Sequence, residues 1–215
     1  ETACTDDKVK FYTALYHSFL FPYIVSDIDD ECVKYAGFSP WDTFRSLHPL
    51  LSLLKPERQR QMVASLMHDY RAGTALPKGP MSGFHIIPIL LDAAVKETTD
   101  WDVKQLFEAS LALWRSYRSN SFLNDYLENG FVDASQERSV SITSELAYND
   151  WCLARLAVLA GQPDEAQLHA IRSFSYRNLL DTETGFLLPR NKDTFLKSAG
   201  ELGYQESNKW TASFF

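Results

Sequence analysis

Cysteine is scarce in this 215-residue chain. Cys4, Cys32 and Cys152 have no metal-ligand spacing, which excludes a zinc-finger-like site built on thiolates. A Cys4–Cys32 bridge with Cys152 buried in a helix, or three free thiols, fit the sequence equally well, so the redox compartment stays open. No apolar run approaches the roughly 20 residues that a membrane-spanning helix needs. Basic runs are missing as well, and the net charge is −7 with a pI of about 5.2, which argues against nucleic acid or an anionic membrane as a partner. The chain shows no signal-peptide pattern, and Glu1-Thr2-Ala3-Cys4 fits a mature or trimmed end. Strand-like alternation of apolar and polar residues is almost absent.

What is present is ordinary for a globular helical protein: 45% hydrophobic and 23% charged residues. At this length one sizeable core can be buried and a second would be cramped, so residues 1–215 are expected to form a single helical domain. Aromatic residues make up 13%, which suits a carbohydrate binder and suits a large helical core as well. Residues 38–54 organise the rest. Ser39 is a capping type, Pro40 suits a first helical position, and Asp42 falls where a helix favours negative charge. Phe44, Leu47, Leu51 and Leu54 then recur at helical spacing. Trp41 and Asp42 stand at the mouth of that helix. An aromatic plate beside a carboxylate can hold a sugar, while a core tryptophan and a dipole-serving aspartate are the plainer reading.

Further helices are expected at 5–21, with Val9, Tyr12, Leu15, Tyr16 and Phe19 as its inner stripe, and at 56–71, 84–96 and 100–117. A long one runs from a Ser or Thr cap near Ser139 to Ala160, closed by Gly161, and another from Pro163 to Asn178. Gly130 stops a further one in the stretch from Asn124 to Val132, and the full count is eight or nine helices. The loop at 23–38 carries Asp27, Asp29 and Asp30, an acidic group able to hold sugar hydroxyls or a hard cation, or else a solvated turn.

Several of these stretches carry a resemblance. Trp41-Asp42-Thr43-Phe44-Arg45 with Leu47-His48-Pro49-Leu50 closely resembles the W-D-T-F-R-x-L-H-P-L segment of family 92 of the glycoside hydrolases, the calcium-dependent exo-α-mannosidases. Phe11 to His17 matches F-Y-T-A-L-Y-H. Ser139 to Cys152 is in register with S-V-S-x-T-x-E-Y-A-Y-D-D-W-C. Pro189-Arg190-Asn191 resembles the end of G-F-x-x-P-R-N, and 206–215 aligns without a gap to E-G-N-A-W-Q-Y-T-W-F.

The resemblance implies an all-α fold, a partial (α/α)6 toroid of antiparallel helix pairs whose loops at one end build the site. It implies inverting hydrolysis of terminal α-mannosides, a glycan partner, Ca2+ as cofactor, and a secreted or periplasmic location. Trp41, Asp42, Asp27, His85 and Trp210 are then expected to bind substrate, and Glu206 and Asn208 to hold the metal. Departures from the family pattern fall in loops, at 30–38, 77–81 and 133–138. By the same resemblance a general acid would lie between Pro77 and Met81, where only Lys78, Gly79 and Pro80 stand, and the segment with the catalytic base is not found, so no catalytic residue is carried over. Lys209 beside a calcium site is electrostatically wrong unless it points away. Three readings follow: mannosidase sequence, a non-catalytic glycan binder of the same descent, or a scaffold.

Overall fold

The structure is a computed structural model that describes residues 4–27, 32–77, 81–116, 121–197 and 200–213. The acidic residues Asp29 and Asp30 and the connector 78–80 lie outside the described residues.

Helix α1 (Thr5–Ser18) has Asp6 and Asp7 in its first turn and His17 in its last, the signs that a helix dipole favours. A two-stranded antiparallel hairpin follows, β1 (Tyr23–Ile24) with β2 (Tyr35–Ala36). The stretch from Ser39 is not the single helix its periodicity suggests. It divides into α2 (Pro40–Thr43) and α3 (Leu47–Leu54). Pro49 explains the break: in a continuous helix its ring would strike the carbonyl of Arg45, whereas in the first turn of α3 its missing N–H costs nothing. Ser39 does not cap the backbone either, since its hydroxyl donates to the Asp42 carboxylate.

Helix α4 (Pro56–Arg71) starts on proline and is closed by Gly73 at φ +76°. Next come α5 (Ile86–Val95), α6 (Val103–Ser116), α7 (Ser121–Asn129), α8 (Ser139–Leu159) and α9 (Pro163–Arg172). The helix expected from Pro163 to Asn178 ends at Arg172 and passes into a tighter 3₁₀ turn at Ser175–Leu179. A second small hairpin, β3 (Leu180–Asp181) with β4 (Phe186–Leu187), precedes a 3₁₀ turn at Gly200–Gly203 and the short α10 (Lys209–Ala212). The start of α8 is another departure: its N-cap is Arg138, at φ +62°, not a serine or threonine side chain.

The fold is all-α, with α8 packed on α9, α3 on α4 and α5 on α6. Helix α8 is its mast, packing against α9, α6 and α5. It buries Val140, Ile142, Leu146, Leu153 and Leu156 on several sides and leaves one outward stripe of Tyr148, Trp151, Arg155 and Val158. Helix α5 is buried almost all round, through Ile86, Ile87, Ile89 and Leu90. Three polar residues of α8 in the core bond to other segments. Thr143 Oγ1 accepts from the Val132 amide at 2.9 Å. Asn149 Oδ1 accepts from the Phe84 amide at 2.7 Å. Asp150 accepts from Tyr126 Oη at 2.6 Å and faces His169 Nδ1 at 2.5 Å. Burial pushes the Asp150 carboxyl above the usual range, and its bond to His169 offsets part of that.

Two expected faces are uncovered. No residue of α1 is buried, and Val9, Tyr12 and Tyr16 stand 59–65% exposed. Leu54 is also exposed, although Leu51 of the same stripe is buried. Periodicity identifies an apolar face but not what covers it. All three cysteines are free thiols, Cys4 and Cys32 exposed and Cys152 buried, so the Cys4–Cys32 bridge is not formed.

Leu153→Ala should lower the unfolding free energy by about 2–5 kcal/mol in a urea titration, while Leu54→Ala stays within about 0.5 kcal/mol. His48 adds a pH dependence. It is wholly buried, with Nδ1 2.9 Å from Gln59 Oε1, and burial holds its pKa below the ordinary value. The unfolded chain takes up that proton below about pH 6.5 and the folded chain resists it. Its contribution to stability is therefore intact above that pH and declines below it, by up to about 1.4 kcal/mol per pH unit. His48→Gln should flatten the fall in unfolding free energy between about pH 7 and about pH 5 relative to wild type.

Candidate functional site

The register of α8 places the site. Glu145 and Asn149 are four residues apart and so share a face. Asn149 holds the Phe84 amide, and Glu145 therefore meets the next residue, His85, whose Nε2 lies 2.8 Å from Glu145 Oε2. His85 is wholly buried, while a quarter of the Glu145 side chain is open. Phe44 from the α2–α3 turn packs on the His85 ring at 4.6 Å between centroids and on Tyr148 at 5.8 Å. Gly83 makes this junction possible. At φ +84° it occupies the left-handed region, and a Cβ there would stand 2.8 Å from His85 Cε1 and 3.0 Å from Glu145 Cβ.

On the other side of residues 82–85, Gln205 ties three loops together. Its Oε1 accepts from the Ser82 amide at 3.1 Å, Ser82 Oγ at 2.6 Å and Arg138 Nη1 at 3.4 Å, and its amide donates to Ser141 Oγ at 2.8 Å. The Arg138 amide donates to the Leu202 carbonyl at 2.7 Å. Two adjoining clefts open here and share Glu137 and Arg138. One, of about 560 Å³, adds Tyr204, Glu206 and Asn208 to its wall, and the other, of about 480 Å³, adds Ser82 and Gly83. Arg138 and Glu206 are both left-handed non-glycine residues, at φ +62° and +49°, and both line the first cleft. Such backbone is held at a cost of about 1–3 kcal/mol and concentrates at functional sites.

The expected site residues are distributed unevenly over this surface. Trp41 is half-buried, with the Arg45 guanidinium 6.0 Å from its ring and 5.6 Å from that of Phe44, so it adjoins the His85–Glu145 junction. Asp42 is exposed beside it. His85, expected to touch substrate, is fully buried and can reach a ligand only through Glu145. Asp27 is exposed in the connection between β1 and β2, the second of which packs on α4. Trp210 is 63% exposed and edge-on to Phe186 at 4.6 Å.

Calcium takes six to eight oxygen ligands. Asn208 Oδ1 is already engaged, accepting from the Trp210 amide at 3.0 Å and the Thr211 amide at 3.2 Å as the cap of α10. Lys209 lies beside it, with Nζ 5.4 Å from the Phe186 ring and 6.0 Å from that of Trp210. Among the described residues no three His, Cys, Asp or Glu side chains gather as a metal site. The described residues do not by themselves make up a calcium donor set.

Gln205, Arg138, Glu137 and Tyr148 were not marked by the sequence. Arg138 immediately precedes the Ser139-Val140-Ser141 motif, and Tyr148 falls within the same block. Gln205 immediately precedes the Glu206–Asn208 segment.

Comparison with known proteins agrees with the all-α fold. The sequence profile of the glycosyl hydrolase family 92 catalytic domain matches residues 1–215. A family 92 alpha-mannosidase from Bacteroides thetaiotaomicron, solved in complex with mannoimidazole, superposes with a TM-score of 0.81 at 30% identity, over 89% of this chain and 28% of that one. A family 92 inverting mannosidase from the same organism superposes with a TM-score of 0.82 at 26% identity, over 93% of this chain and 32% of that one. The chain thus spans less than a third of the length of these solved relatives. No curated protein matches.

Gly83→Ala should lower the unfolding free energy by about 1–3 kcal/mol, through strain at φ +84° and the close approach to His85 and Glu145. Thermal unfolding of the variant against Gly73→Ala, where a Cβ meets nothing within 4 Å, isolates the contact from the strain.

Proposed function

The chain belongs to glycosyl hydrolase family 92, and from that premise we propose that it is one helical domain of an α-mannosidase-type glycoside hydrolase, contributing a section of an (α/α)6 toroid to the catalytic domain. Its partner is a glycan with a terminal α-mannoside, and its place is outside the cytoplasm. Among the described residues no helix is long and apolar enough to cross a membrane.

The observation that carries this reading is the gathering of carboxylates and aromatic rings where segments 41–45, 81–85, 137–148 and 204–208 meet. Aromatic faces cover the C–H face of a pyranose, and carboxylates accept its hydroxyls. Trp41, Asp42 and Glu206 are the residues of that surface best placed to touch a sugar, with Trp210 on its margin and Asp27 as an outlying contributor. Inverting hydrolysis needs an acid and a base roughly 6.5–9.5 Å apart on opposite faces of the sugar. The part assigned to this chain is to hold and orient the mannoside.

A second reading, glycan binding without hydrolysis, is favoured by Asn208, whose side-chain oxygen is engaged as the cap of α10. Calorimetry with methyl α-D-mannopyranoside and turnover of an aryl α-mannoside separate the two. The mannosidase reading expects both binding and turnover; binding alone selects the second reading, and neither refutes both. Asp42→Ala and Trp41→Ala should each weaken binding by about tenfold or more, equivalent to about 1.4 kcal/mol.

A further inference from the structure

His85 differs from the other buried histidines in the exposure of its partner. It is 0% exposed, yet only one of its nitrogens is used: Nε2 meets Glu145 Oε2 at 2.8 Å, and Nδ1 has no partner among the described residues. His48 and His169 also leave one ring nitrogen without a hydrogen-bond partner, but the groups they bond, Gln59 and Asp150, are fully buried. The one polar contact the His85 imidazole makes is to a carboxylate that is itself a quarter open. Oε1 of that carboxylate takes no protein hydrogen bond among the described residues. Three further features surround it. Gly83 gives the carboxylate a wall without a side chain. Phe44 packs on both His85 and Tyr148. Tyr148 stacks on Trp151 with the rings 10° from parallel at 6.2 Å, and these two side chains are 38% and 48% exposed. The result is a fixed, open acceptor at the foot of exposed aromatic faces.

We propose that Glu145 is a ligand-contacting carboxylate, accepting hydroxyls of a pyranose that lies against the Phe44–Tyr148–Trp151 rings, and that His85 is its positioning residue. The inference rests on the glycan reading above and adds to it a residue and a subsite on the α8 side of the 82–85 segment. His85 donates Nε2–H to Oε2, which leaves Oε1 aimed outward. Its own nitrogen never meets the sugar.

The test uses the whole chain and methyl α-D-mannopyranoside as probe. Glu145→Gln should weaken binding by about tenfold or more with an unchanged helical spectrum and melting temperature, because the accepted hydroxyl bonds lose their charged acceptor. His85→Gln places an amide N–H where Nε2–H stood and should remain within about threefold of wild type, whereas His85→Leu fills the same space without a donor and should lose as much as Glu145→Gln. A purely structural role for His85 would instead make the two His85 variants alike in affinity. A measurement free of mutation accompanies these: carbodiimide labelling of wild type, mapped by mass spectrometry, should show Glu145 protected by the sugar. Wild-type binding with an unaltered Glu145→Gln affinity, or with Glu145 labelled equally with and without sugar, overturns this inference and leaves the glycan reading standing. No binding by wild type overturns both.

Discussion

The rest of the structure depends on the bonding of the polar residues that α8 carries into the core. A buried hydroxyl, amide or carboxylate without a partner costs about 1–3 kcal/mol, more if charged. Thr143, Asn149 and Asp150 are all at or near zero exposure, and each is satisfied by a different segment: Val132, Phe84, and the Tyr126–His169 pair. These bonds do not add much net stability individually. They make one register of α8 far better than its neighbours, because a slip of one residue would leave all three groups unpaired. Apolar packing by Leu146, Leu153 and Leu156 supplies the bulk of the driving force, and the polar residues decide where it is spent.

That register is what reaches the surface as chemistry. With Asn149 fixed on Phe84, Glu145 falls beside His85 and Tyr148 falls beside Phe44, so the aromatic and acidic faces of the α2–α3 turn and of α8 come together. Gln205 then draws the 200–208 segment onto Ser82 and Arg138 and closes the other side. The strained backbone at Arg138 and Glu206 is held there by these neighbours, not by its own preference. A core constraint is thus converted into the relative positions of four loops.

Much of the helical outline was legible in the sequence because its signals are local. Pro56 and Gly73 bracket α4, Gly130 ends α7, and Gly161 with Pro163 separates α8 from α9. Where the reading failed, the deciding interaction was either steric or distant. Pro49 breaks the stretch after Ser39 through a clash four residues back, a local fact that an apolar stripe concealed. The exposed stripe of α1 shows the opposite limit, since spacing cannot say which face finds a partner. Trp41 and Asp42 were singled out by residue type and motif. The His85–Glu145 contact spans 60 positions and the Ser82–Gln205 contact 123, so neither leaves a trace in any sequence window. The block that became α8 was visible as a motif, but its role as the fixed reference for the site was not.

Amide hydrogen exchange with and without methyl α-D-mannopyranoside tests the central claim most directly. The account predicts slower exchange with sugar in peptides covering 41–45, 81–85, 137–148 and 204–208, against an unchanged pattern in α4, α6 and α9. Protection confined to other segments, or no change in these four at a sugar concentration that calorimetry shows to be saturating, would contradict it.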